Sequence, residues 1–250
     1  MVKKATAYTA LSTLAMVIGA SSSGTAQIPS EFTNLTLLPD DISRAQLVSV
    51  MRDFAGALGT NCGYCHVGEN PATLEDFDFS SDEKETKRIA RTMFEMVRSI
   101  NEEHLPQIGR EDRTQVTCNT CHHGYNRPVD LRDELMAAHD DGGMEALRAR
   151  YDELREAYFG RAVFDFGEGT LTSLSERLAS QGAGEDALSV LEMNLEFFPE
   201  SQSVWWQLGQ TLEATGDSEG ALSAYRNGLA TDAESGFSQF FQERIVALGG

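Results

Sequence analysis

Cys62-Gly63-Tyr64-Cys65-His66 and Cys118-Asn119-Thr120-Cys121-His122 hold all four cysteines of the 250-residue chain. In each stretch the two cysteines project from one side of a single helical turn, and a histidine directly follows the second. This is the attachment pattern of a c-type haem. Both thiols can form thioethers to the porphyrin vinyl groups, and the histidine then lies beneath the iron as its proximal ligand. The pattern points to two covalently attached haem c groups, bound through Cys62, Cys65, Cys118 and Cys121, with His66 and His122 on the irons. Disulfides, redox dithiols and a structural zinc are the plainer uses of paired cysteines. A zinc ribbon separates its pairs by about 15 to 20 residues, whereas Cys65 and Cys118 lie 53 positions apart. Neither pair has the βαβ setting of a thioredoxin-like dithiol.

Upstream of the first pair, Leu47, Val48, Met51, Phe54, Ala55 and Leu58 recur at helical spacing. They make one apolar face, and Gly59 ends it. Asp40 or Asp41, just after Pro39, is placed to cap this helix. Between the pairs, Gly68 to Asp82 forms an acidic loop with Leu74, Phe77 and Phe79 as anchors. Ser80 and Glu83 read as a capping box for a second helix, which carries Ile89, Met93, Met96, Val97 and Ile100 on one side. A loop with Pro106 and Gly109 leads to the second pair. A methionine on an apolar stripe is ordinarily core. A haem iron nevertheless needs a sixth ligand, and His/Met ligation raises the reduction potential while closing the iron to substrate.

The segments Val48–Val67, Ala90–Asn101 and Val116–Gly124 resemble the cytochrome c subunit of photosynthetic reaction centres, whose haem units are a Met-bearing helix, a turn and Cys-x-x-Cys-His. The resemblance covers about Leu35 to Pro128. Arg91-Thr92-Met93-Phe94-Glu95-Met96 matches that family's helix before its second haem, where the first methionine of the pair is the ligand. This implies Met93 rather than Met96. Met51, eleven residues before Cys62, occupies the equivalent place for the first haem. The implied iron ligands are thus His66 with Met51 and His122 with Met93. The subunit carries more haems than this chain has cysteines for, and its lipid-anchored members have a cysteine at the signal cleavage site. His123 stands where the family pattern has an arginine. His104 and His139 read as solvated histidines, and His123 adjoins His122 too closely to reach the opposite face of the same haem.

After Pro128, Leu131 to Phe159 reads as two helical stretches broken at Asp140-Asp141-Gly142-Gly143. Beyond Gly160 the spacing becomes periodic at 34 residues: Leu174, Leu178, Gly182, Ala187, Leu188 and Leu195 recur as Leu208, Leu212, Gly216, Ala221, Leu222 and Leu229. Trp205, Leu208, Gly209, Ala221 and Tyr225 fit the tetratricopeptide pattern, with Pro199 at its closing proline. The expectation is two repeats, an end helix from about Ser235 to Leu248, and flanking helices that cap the stack. Resemblance to tetratricopeptide arrays implies a groove for peptides or partner proteins. Simple bracing of the haem module is the plainer reading.

The first 26 residues combine Lys3 and Lys4, a mildly apolar run to Ala20 and a Gly24-Thr25-Ala26 end. They read as a secretory signal peptide, since the run is shorter than the roughly 20 apolar residues of a membrane span. Cleavage would move the formal charge from −19 to −21, because the segment holds two lysines and no acid. Nucleic acid and anionic membrane surfaces are therefore poor partners, and a basic docking surface on a redox protein suits the charge better.

The chain is accordingly expected to be all-α. Its expected domains are a signal peptide (1–26), a dihaem cytochrome c domain (27–128), a helical connector (129–166) and a tetratricopeptide repeat domain (167–250). The expected function is an exported, periplasmic electron carrier between redox partner proteins, without a stable membrane anchor and without enzymatic activity. The rivals are a dihaem peroxidase-like enzyme with one open iron, and a haem-containing scaffold protein.

Overall fold

The computed structural model describes residues 28, 29, 31–109 and 115–250. The expected signal peptide falls outside these residues. Helices account for all the regular structure among them, apart from one isolated antiparallel bridge between Val67 and Asp78.

The first helix, α1 (Arg44–Leu58), begins later than Asp40 or Asp41 would place it. Ser43 is its N-cap. The Gln46 N–H donates to Ser43 Oγ (3.3 Å) and the Ser43 N–H donates back to Gln46 Oε1 (3.1 Å), a capping box that satisfies two orphan donors at once. Its C-terminal end is Gly59, in the left-handed region at φ 62°. A single turn, α2 (Cys62–Cys65), follows.

Helix α3 (Glu85–Ser99) also starts beyond the expected cap. The Ser80 hydroxyl donates to Asp78 Oδ1 (2.7 Å), which also accepts the backbone N–H groups of Ser80 (2.9 Å) and Ser81 (3.0 Å). Ser80 is thereby committed to the loop, and Lys84 becomes the N-cap without a side-chain bond. A π-helical turn (Ile100–His104) and a 3-10 turn (Leu105–Ile108) extend α3. The second cysteine pair then forms the short α4 (Cys118–His122).

The remaining six helices hold nearly all of the core. Asp130 caps α5 (Leu131–Tyr158), accepting the Asp133 N–H at 2.8 Å. The expected break is present inside it: Gly142 and Gly143 leave helical geometry, the latter at φ 67°. The halves on either side supply Leu135 and Tyr151 to one core, shared with Phe164, Leu174, Leu178 and Val190. Two helix pairs follow, α6 (Glu168–Ser180) with α7 (Gly184–Phe197) and α8 (Gln202–Thr215) with α9 (Ser218–Thr231). The first helices of the two pairs start 34 residues apart, and so do the second helices. The sequence period is thus the structural period. Each pair packs on the next, and α10 (Ser238–Ala247) closes the stack with Phe241 buried against Ala221 and Tyr225. Gly209 lets α9 approach α8, because a Cβ there would lie 2.3 Å from the Tyr225 ring. Ser175, the matching residue 34 positions earlier, is fully buried.

Candidate haem sites

The first motif follows directly from the end of α1. Asn61 caps the turn by accepting the Gly63 N–H at 2.9 Å, and the His66 N–H donates to Cys62 O at 2.9 Å. This brings Cys62, Cys65 and His66 together on one turn. The turn is held against the start of α3, where Lys84 Nζ donates to Gly63 O and Thr86 Oγ1 donates to Tyr64 O (2.5 Å). The acidic loop then folds back over His66. The Asp78 N–H donates to Val67 O at 2.8 Å, and the Phe79 ring meets the His66 ring edge-on at 5.0 Å. Gly68 is required here, since any Cβ would overlap the Phe77 ring.

A cation locks this loop. Lys87 is buried, and its Nζ donates to Phe79 O (2.9 Å) and Ser81 O (2.7 Å) while lying 3.1 Å from Asp82. Asp82 also pairs with Arg91 at 2.6 Å and accepts from Asn34 at 2.9 Å, so its carboxyl lies far below the usual carboxylate range. His66 is shielded from solvent, and this burial, reinforced by the Lys87 charge, lowers its pKa to about 4. The imidazole is therefore neutral near pH 7, the form that binds iron. Its Nδ1 is buried without a hydrogen-bond partner.

The second motif is anchored differently. Asn101 bridges to the segment before it, donating to Val116 O (2.8 Å) and accepting the Val116 N–H (2.9 Å). Thr117 and Thr120 form a capping box for α4. His122 is buried, and its Nδ1 lies 2.9 Å from Tyr125 O. A carbonyl can only accept, so Nδ1 donates to it and Nε2 is the ring nitrogen left to meet a metal. His123 caps the turn in the left-handed region at φ 52° and is exposed.

The two units are interlocked. The α1 helix packs on α4, and α3 packs on α2, so each methionine-bearing helix touches the motif of the other unit. The Gly124 N–H donates to Ala57 O at 2.9 Å, and a Cβ on Gly59 would lie 2.0 Å from Gly124 O. Phe54 and Phe94, neighbours of Met51 and Met93 on their helices, meet edge-on at 5.8 Å. Both methionines are partly buried, whereas Met96 is 46% exposed. None of the four cysteines is in a disulfide, and burial raises the thiol pKa of Cys65 and Cys118.

Among the described residues no three His, Cys, Asp or Glu side chains converge as a bare metal ion would need. Residues 2–148, more than half of the chain, match the family model of the photosynthetic reaction centre cytochrome c subunit. The chain belongs to that family. Cytochrome c-554 of Chloroflexus aurantiacus is 36% identical over 91 residues, which is 36% of this chain and 20% of that protein. The photosynthetic reaction centre cytochrome c subunit of Thermochromatium tepidum is 40% identical over 67 residues, 27% of this chain and 14% of that one. The chain therefore matches only a small part of each relative's length. The family match also runs past Pro128 into α5, further than the sequence resemblance alone reaches.

Membership of this cytochrome family implies covalently bound haem c, and the residues fit that group. Among the described residues of the haem half only Leu47 and Ala57 are buried apolar residues, although α1 and α3 carry apolar faces. Ile89 is 53% exposed on α3. Faces this apolar and this open suit a large flat cofactor as their packing partner. His122 is buried and His66 is half-buried, each on or next to the turn that carries the two thiols.

The other histidines take separate roles. His139 Nε2 lies 2.8 Å from Asp186, a contact between α5 and α7, and His104 is exposed on the π-helical turn. Sequence reasoning missed the Lys87 clamp and a second buried charge, Glu134, whose side chain is 3% exposed between Arg127 and Arg150. Lys87 lies on the polar side of α3, where periodicity predicts solvent, and Glu134 lies among Leu131, Leu135 and Met136 on the buried face of α5, where an acid reads as an interruption of the apolar pattern.

Proposed function

We propose that this chain is an exported dihaem c-type cytochrome that carries single electrons between redox proteins and has no substrate-binding iron. The observation that carries the reading is the duplicated unit: a helix with a half-buried methionine, joined to a Cys-x-x-Cys-His turn, present twice and interlocked through α1 with α4 and α3 with α2. When bound, the haems supply the one-electron couple. Cys62, Cys65, Cys118 and Cys121 would tether them, while His66 with Met51, and His122 with Met93, would ligate the two irons. Low-spin His/Met ligation leaves no open coordination site and favours a high potential. The protein then sets spacing, potential and access.

The acidic charge, −19 over the whole chain, supports a partner with a basic docking surface. The 34-residue helix pairs support tetratricopeptide-type docking of a partner protein beside the bracing they give to α5. The Lys3-Lys4 start and Gly24-Thr25-Ala26 end support cleavage of residues 1–26 and a periplasmic location. Among the described residues no helix is long and apolar enough to cross a membrane. We assign residues 27–128 to the dihaem domain, 129–166 to the connector and 167–250 to the repeats.

The test is carbon monoxide added to the reduced protein, read optically, in wild type and in Met51→Ala, Met93→Ala and Met96→Ala. Wild type should not bind the gas. Met51→Ala should open the haem on Cys62 and Cys65, Met93→Ala should open the haem on Cys118 and Cys121, and Met96→Ala should leave both spectra unchanged. Rapid binding by wild type would replace the carrier reading with that of a peroxidase-like enzyme. Exchange of the two responses would mean that each methionine serves the motif its helix touches.

A further inference from the structure

His122 is anchored through the carbonyl of Tyr125, and Tyr125 is itself anchored by the C-terminal half of the chain. Its ring is wedged edge-on against Tyr158 (5.7 Å) and Phe164 (5.1 Å), both part of the large core around α5. Its hydroxyl accepts from Arg150 Nη2 at 2.8 Å and lies 3.4 Å from Glu134 Oε1. Glu134, 3% exposed, accepts from Arg150 Nε (3.2 Å) and Nη2 (2.7 Å), and from Arg127, two residues beyond Tyr125. The segment leaving the second haem turn is thus gripped twice by an ion-pair cluster built on the buried Glu134 carboxylate. Burial works to raise the Glu134 pKa, but the two guanidiniums outweigh it and hold the carboxyl ionised below its usual range. Arg150, Tyr158 and Phe164 all lie beyond the residues that match the cytochrome family.

Among the described residues no such hydrogen bond reaches the His66 imidazole. His66 Nδ1 has no partner, and the groups packed on it, Phe79 and Lys87, belong to the haem half. The strength of the Nδ1–H···O bond sets how basic a metal-bound imidazole is. A firmly held Tyr125 carbonyl makes His122 the better donor to iron, which favours the oxidised state.

We propose that Tyr125 and Glu134 are positioning residues for the second haem alone: through the Tyr125 carbonyl, the C-terminal helices fix the His122 imidazole and hold that haem's reduction potential down. This rests on the dihaem reading above, with His122 as an iron ligand.

The test uses full-length holoprotein and a spectroelectrochemical titration that resolves both couples, with ferric EPR as a second readout. Tyr125→Phe removes the hydroxyl and no charge. Glu134→Gln keeps the shape and removes the buried carboxylate. Glu213→Gln is the control. It breaks a comparable cluster in the repeats, where Glu213 accepts from Tyr225 Oη (2.5 Å) and from Arg244, away from both haem turns. Tyr125→Phe and Glu134→Gln should each raise the second couple, shifting the electron-sharing equilibrium between the haems by up to roughly tenfold. The first couple should stay put, and Glu213→Gln should move neither. If both couples move together, if the Tyr125→Phe couples match wild type, or if Glu213→Gln has the same effect, the proposal is overturned. Failure of the underlying reading looks different: wild type itself would lack a haem on Cys118 and Cys121, or would lack a histidine-ligated signal there.

Discussion

The described residues up to 130 and residues 131–250 are both helical regions, but they bury their apolar surface in different ways. The second region has a continuous ladder of cores, from Leu135 and Tyr151 through Leu174 and Val190 to Tyr225 and Phe241. The first has helices just as amphipathic, yet only Leu47 and Ala57 among its described apolar residues are buried. Much of its polar side, by contrast, is organised: Lys87, Asp82, Asn101 and the caps Ser43 and Asn61 are all engaged. A chain segment that pairs most of its polar groups and leaves its apolar faces open is built around something other than itself. The tail folds on protein atoms, and the haem half is built to fold on porphyrin.

Removing the porphyrin should separate the two regions most strongly. With Cys62, Cys65, Cys118 and Cys121 all changed to Ser, the haem half should lose its helices, while the region after about Asp130 keeps its own. Limited proteolysis followed by mass spectrometry should leave a resistant fragment starting near Leu131. Equal resistance of both halves would show that the first region has a sufficient core of its own.

Gly59→Ala attacks the contact between the two haem units. The position has φ 62°, and the new methyl would lie 2.0 Å from Gly124 O, a backbone atom that cannot swing aside. The combined strain and overpacking should cost about 3 kcal/mol or more in holoprotein unfolding. An unfolding midpoint equal to wild type would mean that the units are not interlocked in this way. In the tail, Leu174→Ala removes a fully buried side chain and should cost about 2 to 5 kcal/mol with the haem spectra intact. Arg148→Ala breaks its pair with Glu196, but both partners are about half exposed, so thermal unfolding should change by under about 1 kcal/mol.

Local chemistry was legible in the sequence. The two Cys-x-x-Cys-His turns, the stop at Gly59, the break at Gly142-Gly143 and the 34-residue period all appear where residue types and spacing put them. Helix starts were less legible, because several residues compete to cap. Ser43 wins over Asp41 through its reciprocal bonds with Gln46, and Ser80 is diverted by Asp78. Glu134 was not legible at all. Its burial depends on Arg150, sixteen residues further along α5 and beyond the Gly142-Gly143 break that lets the helix fold back. No window along one helix contains that information.

The proposed function requires two haems, each bound through one cysteine pair and filling the open apolar side of the first region. Intact-mass spectrometry under denaturing conditions tests this most directly, because thioether-bound haem survives denaturation. The mass should exceed that of the polypeptide by two haems, with no thiol left to alkylate. A mass carrying one haem or none, or any cysteine that alkylates, would contradict it.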